Sequence, residues 1–113
     1  MLTVQPALAA TSEEWRIHVR HNAQSDGVVA LQLRPRGGYP FEIRVTVTEW
    51  TKENDIARRI RDVLEAELPR DAHEVDVDDG EEVTIEARKG TGEFNVALLD
   101  STVTGVEFEV ERK

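Results

Sequence analysis

No cysteine occurs in this chain of 113 residues, which excludes a disulfide framework, a thiolate zinc site and a cysteine nucleophile together. Aromatic residues are scarce, with two Trp, one Tyr and three Phe. They are too few to interleave with basic side chains as a nucleic-acid groove requires. No stretch approaches the roughly 18 apolar residues of a membrane span. The start "MLTVQPALAATSEE" has no basic n-region, and its short apolar patch is broken by Pro6. The expectation is a soluble, cytoplasmic protein with no membrane partner. Positive charge is also in deficit, 14 Lys and Arg against 23 Asp and Glu, a net charge of −9. That balance opposes specific recognition of nucleic acid, whose phosphates repel acidic surfaces.

What is present is alternation. With 39% hydrophobic residues the chain can bury a real core within one domain. "WRIHVRH" places Trp15, Ile17 and Val19 on one face and Arg16, His18 and Arg20 on the other, the period of a half-buried strand. "NAQSDG" is a polar turn cluster, and "VVALQLRP" then sets Val29, Leu31 and Leu33 inward, so these two strands are expected to form a hairpin. After "RGGYP" the alternation resumes in "FEIRVTVTEW", with Phe41, Ile43, Val45 and Val47 on one side.

One helix interrupts the strands, predicted over 52–68. Thr51 is its expected N-cap, Glu53 and Asp55 suit the positive end of its dipole, and Pro69 stops it after Leu68. Ile56, Ile60, Val63, Leu64 and Leu68 recur at three and four residues and make one apolar stripe for a sheet face. Four further strands follow. At Asp79-Gly80 a plain two-residue loop would put Val77 opposite Glu82, so a longer or bulged loop pairing Val77 with Val83 is expected. The fold class is therefore α+β: mainly antiparallel, about seven strands in two packed sheets or one curved sheet, with one amphipathic helix. An irregular N-terminal arm is expected over 1–14 and a single β-rich domain over 15–113.

Candidate chemistry is thin. His18 and His21, three apart on a strand, point to opposite faces and cannot chelate one metal, and with His73 they read as surface histidines. "DVDDGEE" lacks the alternating oxygen ligands of a calcium loop and reads as an acidic turn. "RGG" and "KGTG" lie between strands, not at a helix N-terminus where phosphate binds. Ser12, Ser25 and Ser101 have no nucleophile setting, and no acid/base pair is located by spacing. No enzyme, metal or cofactor is expected.

The charged faces carry more. Arg16, Arg20, Arg34 and Arg44 make the outward side of the first three strands basic, whereas Glu107, Glu109 and Glu111, with Asp76, Glu82 and Glu86, make the later strands acidic. A basic face on one side and an acidic one on another would permit a head-to-tail contact that closes into rings or stacks. The loop Arg36, Gly37, Gly38 and Tyr39 is a candidate for reaching a neighbouring subunit.

From residue 43 to about 99 the chain runs strand, "TKENDIARRIRDVLEAELP" with an I-A-x-x-I-x-x-x-L helix, a V-x-V-D-x-G turn, then "EVTIEARKGTGEFNVAL". This order resembles the strand, helix and hairpin units of virion tail proteins of tailed bacteriophages, among them tube, sheath, baseplate and neck components. The resemblance covers about half the chain and carries no catalytic residues. It implies a non-enzymatic structural subunit of the virion tail, a tail tube or tail-associated protein assembled in the host cytoplasm. Its partners would be further copies of itself in a ring or stack and other tail proteins. Tube lumens resemble one another in being acidic, and the glutamates of "VEFEVE" would form such a wall here. The loop "RPRGGYP" and the first dozen residues are short beside the inter-ring loop and arm of tube subunits, so a tail-end, neck or accessory component fits almost as well. A different class of function is a small acidic module that contacts a basic host protein.

Overall fold

The period-two patterns become strands because each places β-branched and aliphatic residues on one face, where a second sheet can cover them. The computed structural model describes residues 10–113. In chain order the elements are β1 (Glu14–Arg20), β2 (Gly27–Pro35), β3 (Phe41–Val47), α1 (Glu53–Glu67), β4 (His73–Asp78), β5 (Glu82–Ala87), β6 (Phe94–Ser101) and β7 (Glu107–Arg112). Two antiparallel sheets pack face to face, one in the order β4-β5-β1-β7 and the other β3-β2-β6. Ile17, Val19, Val83 and Ile85 from the first sheet and Val29, Leu31, Leu33, Ile43, Val45 and Phe94 from the second are buried between them. Phe41 has the core-facing register, opposite Leu33, yet lies far enough along β3 to remain 41% exposed.

The helix closes one open side of this sandwich, lying along β3 and β4 and touching β1 and β5. Ile56, Ala57, Ile60 and Leu64 are buried, Leu68 is buried at the C-cap, and Val63 packs half-buried beside them. Pro69 disfavours helical backbone at the residue before it, and Leu68 is accordingly extended, at φ −85° and ψ 147°. The N-terminus differs from expectation. Lys52, not Thr51, is the N-cap residue and supplies no side-chain cap, while the Thr51 hydroxyl donates to Thr48 O at 2.8 Å. One orphan amide of the first turn is instead served from the β1–β2 loop. Asn22 Oδ1 accepts the Glu53 N–H at 3.1 Å, and Glu53 Oε2 accepts the His21 N–H at 2.7 Å.

A second correction concerns β1 and β2, which form no hairpin: β1 lies between β5 and β7, and β2 between β3 and β6. The intervening loop is tied elsewhere. Ala23 is fully buried, donates its N–H to Thr51 O and accepts the Trp50 N–H, both at 2.9 Å. Those bonds carry the chain across to the other sheet. Gly27 opens β2 beside the β6–β7 connection, where a Cβ would sit 2.7 Å from Val103 N, so only glycine allows that approach. The β4–β5 turn follows expectation. Val77 pairs with Val83 and Asp78 with Glu82, leaving Asp79, Gly80 and Glu81 as the loop, with φ 50° at Asp79 and 76° at Gly80.

Of the expected N-terminal arm, residues 1–9 lie outside the described residues. Ser12 forms an isolated bridge with Phe94, and Glu14 already belongs to β1.

Candidate functional site

The outward face of the larger sheet is a ladder of charge built by register. Across β1, Arg16, His18 and Arg20 stand opposite Glu111, Glu109 and Glu107 of β7 on one side. On the other side Arg16 faces Thr84 and His18 faces Glu82. Arg20 Nη1 reaches Glu109 Oε2 at 2.8 Å. His18 bridges two carboxylates, Nδ1 to Glu82 at 3.0 Å and Nε2 to Glu111 at 3.1 Å, an arrangement in which only the doubly protonated ring donates to both. Arg16 lies 3.6 Å from Glu82 and 3.8 Å from Glu14.

The expected separation into a basic face and an acidic face is therefore corrected. Arg16 and Arg20 share one sheet face with Glu107, Glu109 and Glu111, and all of these but Glu107 have a partner on that face. Arg34 and Arg44 lie on the other sheet, where Arg44 Nε is 3.4 Å from Glu42. The reason is strand order: alternation fixes the sign along a strand, but not which strands lie side by side. The exposed pairs, Arg20 with Glu109 and Arg44 with Glu42, contribute about 0.2–1 kcal/mol each and set register more than stability, whereas the Glu82 carboxylate that meets Arg16 and His18 is buried. The surplus negative charge sits instead on β4 and its neighbour. Glu74, Asp76, Asp78 and Glu86 are exposed and make no ion pair among the described residues.

Exposed apolar side chains form the second feature. Tyr39 and Phe41 lie at the β2–β3 tip, Trp50 between β3 and α1, and Leu98 and Leu99 on β6. In the pairing of β6 with β2, Ala30 is opposite Asp100 and Leu31 opposite Leu98, so Leu99 is the extra residue of a β-bulge. The predicted loop of Arg36, Gly37, Gly38 and Tyr39 is exposed throughout, folded by a Gly38 N–H to Pro35 O bond of 3.0 Å and φ 72° at Gly37. Trp50, Leu98 and Leu99 escape the sequence reading. The doubled leucine in "VALLD" breaks strict alternation, and that break is the mark a bulge leaves in sequence.

His73 also differs from expectation, since it is not at the surface. It faces the core at 6% exposure, with its ring edge-on to Phe94 at 4.9 Å and neither nitrogen hydrogen-bonded. Burial pushes its pKa below the ordinary 6.5. It borders a cleft of about 250 Å³ between the end of α1 and β4, lined also by Glu65, Leu68, Arg70, Asp76 and Arg88. Ser12, Ser25 and Ser101 each hydrogen-bond backbone groups. Among the described residues no three His, Asp or Glu side chains gather as a metal site, and no helix is long and apolar enough to cross a membrane.

The fold and surface thus define a class, an α+β sandwich whose helix closes one side and whose outward faces carry charge ladders and apolar rims. No family model matches the chain, and no curated protein matches it.

Proposed function

We propose that this chain is a non-enzymatic structural subunit of a tailed-bacteriophage virion, a tail tube or tail-associated protein that assembles with copies of itself into rings. The observation that carries the assembly reading is the edge of the smaller sheet at β6. A sheet edge invites pairing with another chain unless it is blunted. The β4 edge is blunted by Glu74, Asp76 and Asp78, the β7 edge by Glu107, Glu109 and Glu111, and β3 is covered by α1, whose Arg59 Nε donates to Thr46 O at 3.2 Å. The β6 edge is bridged by Ser12 at Phe94, and at its other end, among the described residues, it presents two exposed leucines. The virion part of the proposal rests on the strand, helix and hairpin order of residues 43 to about 99. An acidic lumen wall would draw on Glu107 and on Glu74, Asp76 and Glu86, because Glu109 and Glu111 are held by β1.

Negative-stain microscopy and light scattering at high protein concentration test this. Rings or stacks are expected from the wild type, and loss of the rings with the fold retained from the variant carrying Leu98→Glu and Leu99→Glu. A wild type that stays monomeric and enters no virion overturns the proposal.

The row of unpaired carboxylates on β4 favours one second reading, a small acidic module that binds a basic host protein. It predicts a salt-sensitive complex with a single such protein, lost on combining Glu74→Lys with Asp76→Lys. A complex that survives those changes counts against it.

A further inference from the structure

The two most exposed aromatic side chains of the described residues stand at opposite ends of one strand. Tyr39, 92% exposed, precedes β3, and Trp50, 71% exposed, follows it. At roughly 3.3 Å per residue the seven residues of β3 hold them on the order of 20 Å apart.

Trp50 is costly where it is. It occupies the third position of a turn closed by Thr51 N–H to Thr48 O at 3.2 Å, and its φ is 71°. That left-handed conformation suits glycine or asparagine, and a bulky side chain there is strained. The ring buries little of itself against its own domain, so packing offers no return for the strain. Strained, exposed aromatic residues are what interfaces use as anchors.

The surroundings of the two rings differ in sign. Around Trp50, the carboxylates of Asp26, Glu49 and Glu53 make no ion pair among the described residues. Asp26 accepts the Glu49 N–H and Glu53 the His21 N–H, while Asp55 is taken by Arg58 at 2.7 Å, and Lys52 and Arg59 are the nearby cations. Around Tyr39, Arg34 and Arg36 are exposed and make no ion pair among the described residues. Of the nearby acids, Glu42 is paired with Arg44, while half-buried Glu93 accepts the Thr11 hydroxyl and keeps its charge. One end is thus an aromatic ring with carboxylates in excess and the other an aromatic ring with guanidinium groups in excess.

We propose that the Trp50 end of one copy docks on the Tyr39 tip of the next. The occupant is a second copy of this chain, because the chain carries both complementary ends and holds them apart on one rigid strand. A contact between unlike patches is heterologous and propagates from copy to copy, which a two-fold contact cannot do. It would run along β3, independently of the β6 edge, and so supply stacking where β6 supplies lateral contact. This inference rests on the assembly reading above.

Sedimentation velocity on the full chain, with circular dichroism to verify folding, tests it. The head variant is Trp50→Gly, which relieves the strained φ and keeps the fold. The tail variant combines Tyr39→Ser with Arg36→Glu, both in an exposed turn. Each variant alone is expected to lose self-association by about tenfold or more. An equimolar mixture should restore a complex, since each supplies the end the other lacks. Variants that associate like the wild type would overturn this contact while leaving assembly through β6 standing. Loss of association in each variant without recovery on mixing would also overturn it. A wild type that is monomeric up to about 1 mM would overturn both readings together.

Discussion

His73 shows what one buried polar ring does to a small core. Its neighbours are the Phe94 edge and the floor of the α1–β4 cleft, and neither ring nitrogen finds a partner. Leaving a polar group buried and unpaired costs about 1–3 kcal/mol, so His73→Leu is expected to stabilise the domain at pH 7.5 by about 1 kcal/mol. The pH dependence has a definite sign. Burial lowers the folded-state pKa below the unfolded value of 6.5, so the unfolded chain takes up the proton first as pH falls. The stability that neutral His73 allows is present above pH 6.5 and is lost as pH drops through that value toward the folded pKa. Glu65, Glu74 and Asp76 face the cleft with Arg70 and Arg88, and their opposite signs leave burial as the dominant cause. Urea unfolding at pH 7.5 and 5.5 checks this: the wild type should lose more stability than His73→Leu across the interval. Equal losses would show that burial of His73 is not the source of the acid sensitivity.

The helix is where sequence and structure agree in outline and part in detail. Its stripe was legible because Ile56, Ile60 and Leu64 recur with the helical period, and Ile60→Ala should cost about 2–5 kcal/mol in urea unfolding, since the site is fully buried. Its cap was not legible, because the acceptor comes from Asn22, 31 positions upstream, and no local pattern encodes a partner at that distance. Asn22→Ala is expected to cost about 1 kcal/mol, measured the same way, whereas Thr51→Ala should cost less than an N-cap would, because its hydroxyl serves the preceding turn. The same divide runs through the sheets. Alternation revealed which residues of β1 to β3 face the core, and the misfit of Glu82 with Val77 revealed the longer β4–β5 loop. Strand order was hidden, since β1 and β2 carry equal patterns whether they pair or cross between sheets. With strand order hidden, the pairing of Arg20 with Glu109 was hidden too, and the charges of β1 and β7 read as separate faces although they form one ladder. His73 was misplaced for a related reason. It occupies an inward position of β4, in phase with Val75 and Val77, but histidine is as common outside a core as inside one.

Assembly of a chain with a net charge of −9 sets short-range attraction against long-range repulsion, and ionic strength separates the two. At 0.01 M salt the screening length is roughly 30 Å, so copies repel as bodies before their ends meet. At about 0.15 M it shrinks to roughly 8 Å, which screens that repulsion but leaves groups in contact interacting. Near 1 M it is about 3 Å, and attraction between the carboxylates around Trp50 and the guanidinium groups of Arg34 and Arg36 fades as well. Only the apolar part of each contact persists there, because burial of Leu98, Leu99 and the aromatic rings does not depend on charge. Head-to-tail association is therefore expected to pass through a maximum at intermediate salt, read by light scattering from about 10 mM to 1 M sodium chloride at fixed protein concentration. The Tyr39→Ser, Arg36→Glu variant lacks the attractive charge and keeps the repulsion, so its scattering should rise with salt without turning over. A wild-type curve that also rises throughout would mean that apolar contact alone holds the copies together. One that falls from the lowest salt would mean that local charge pairing already exceeds the repulsion between whole subunits.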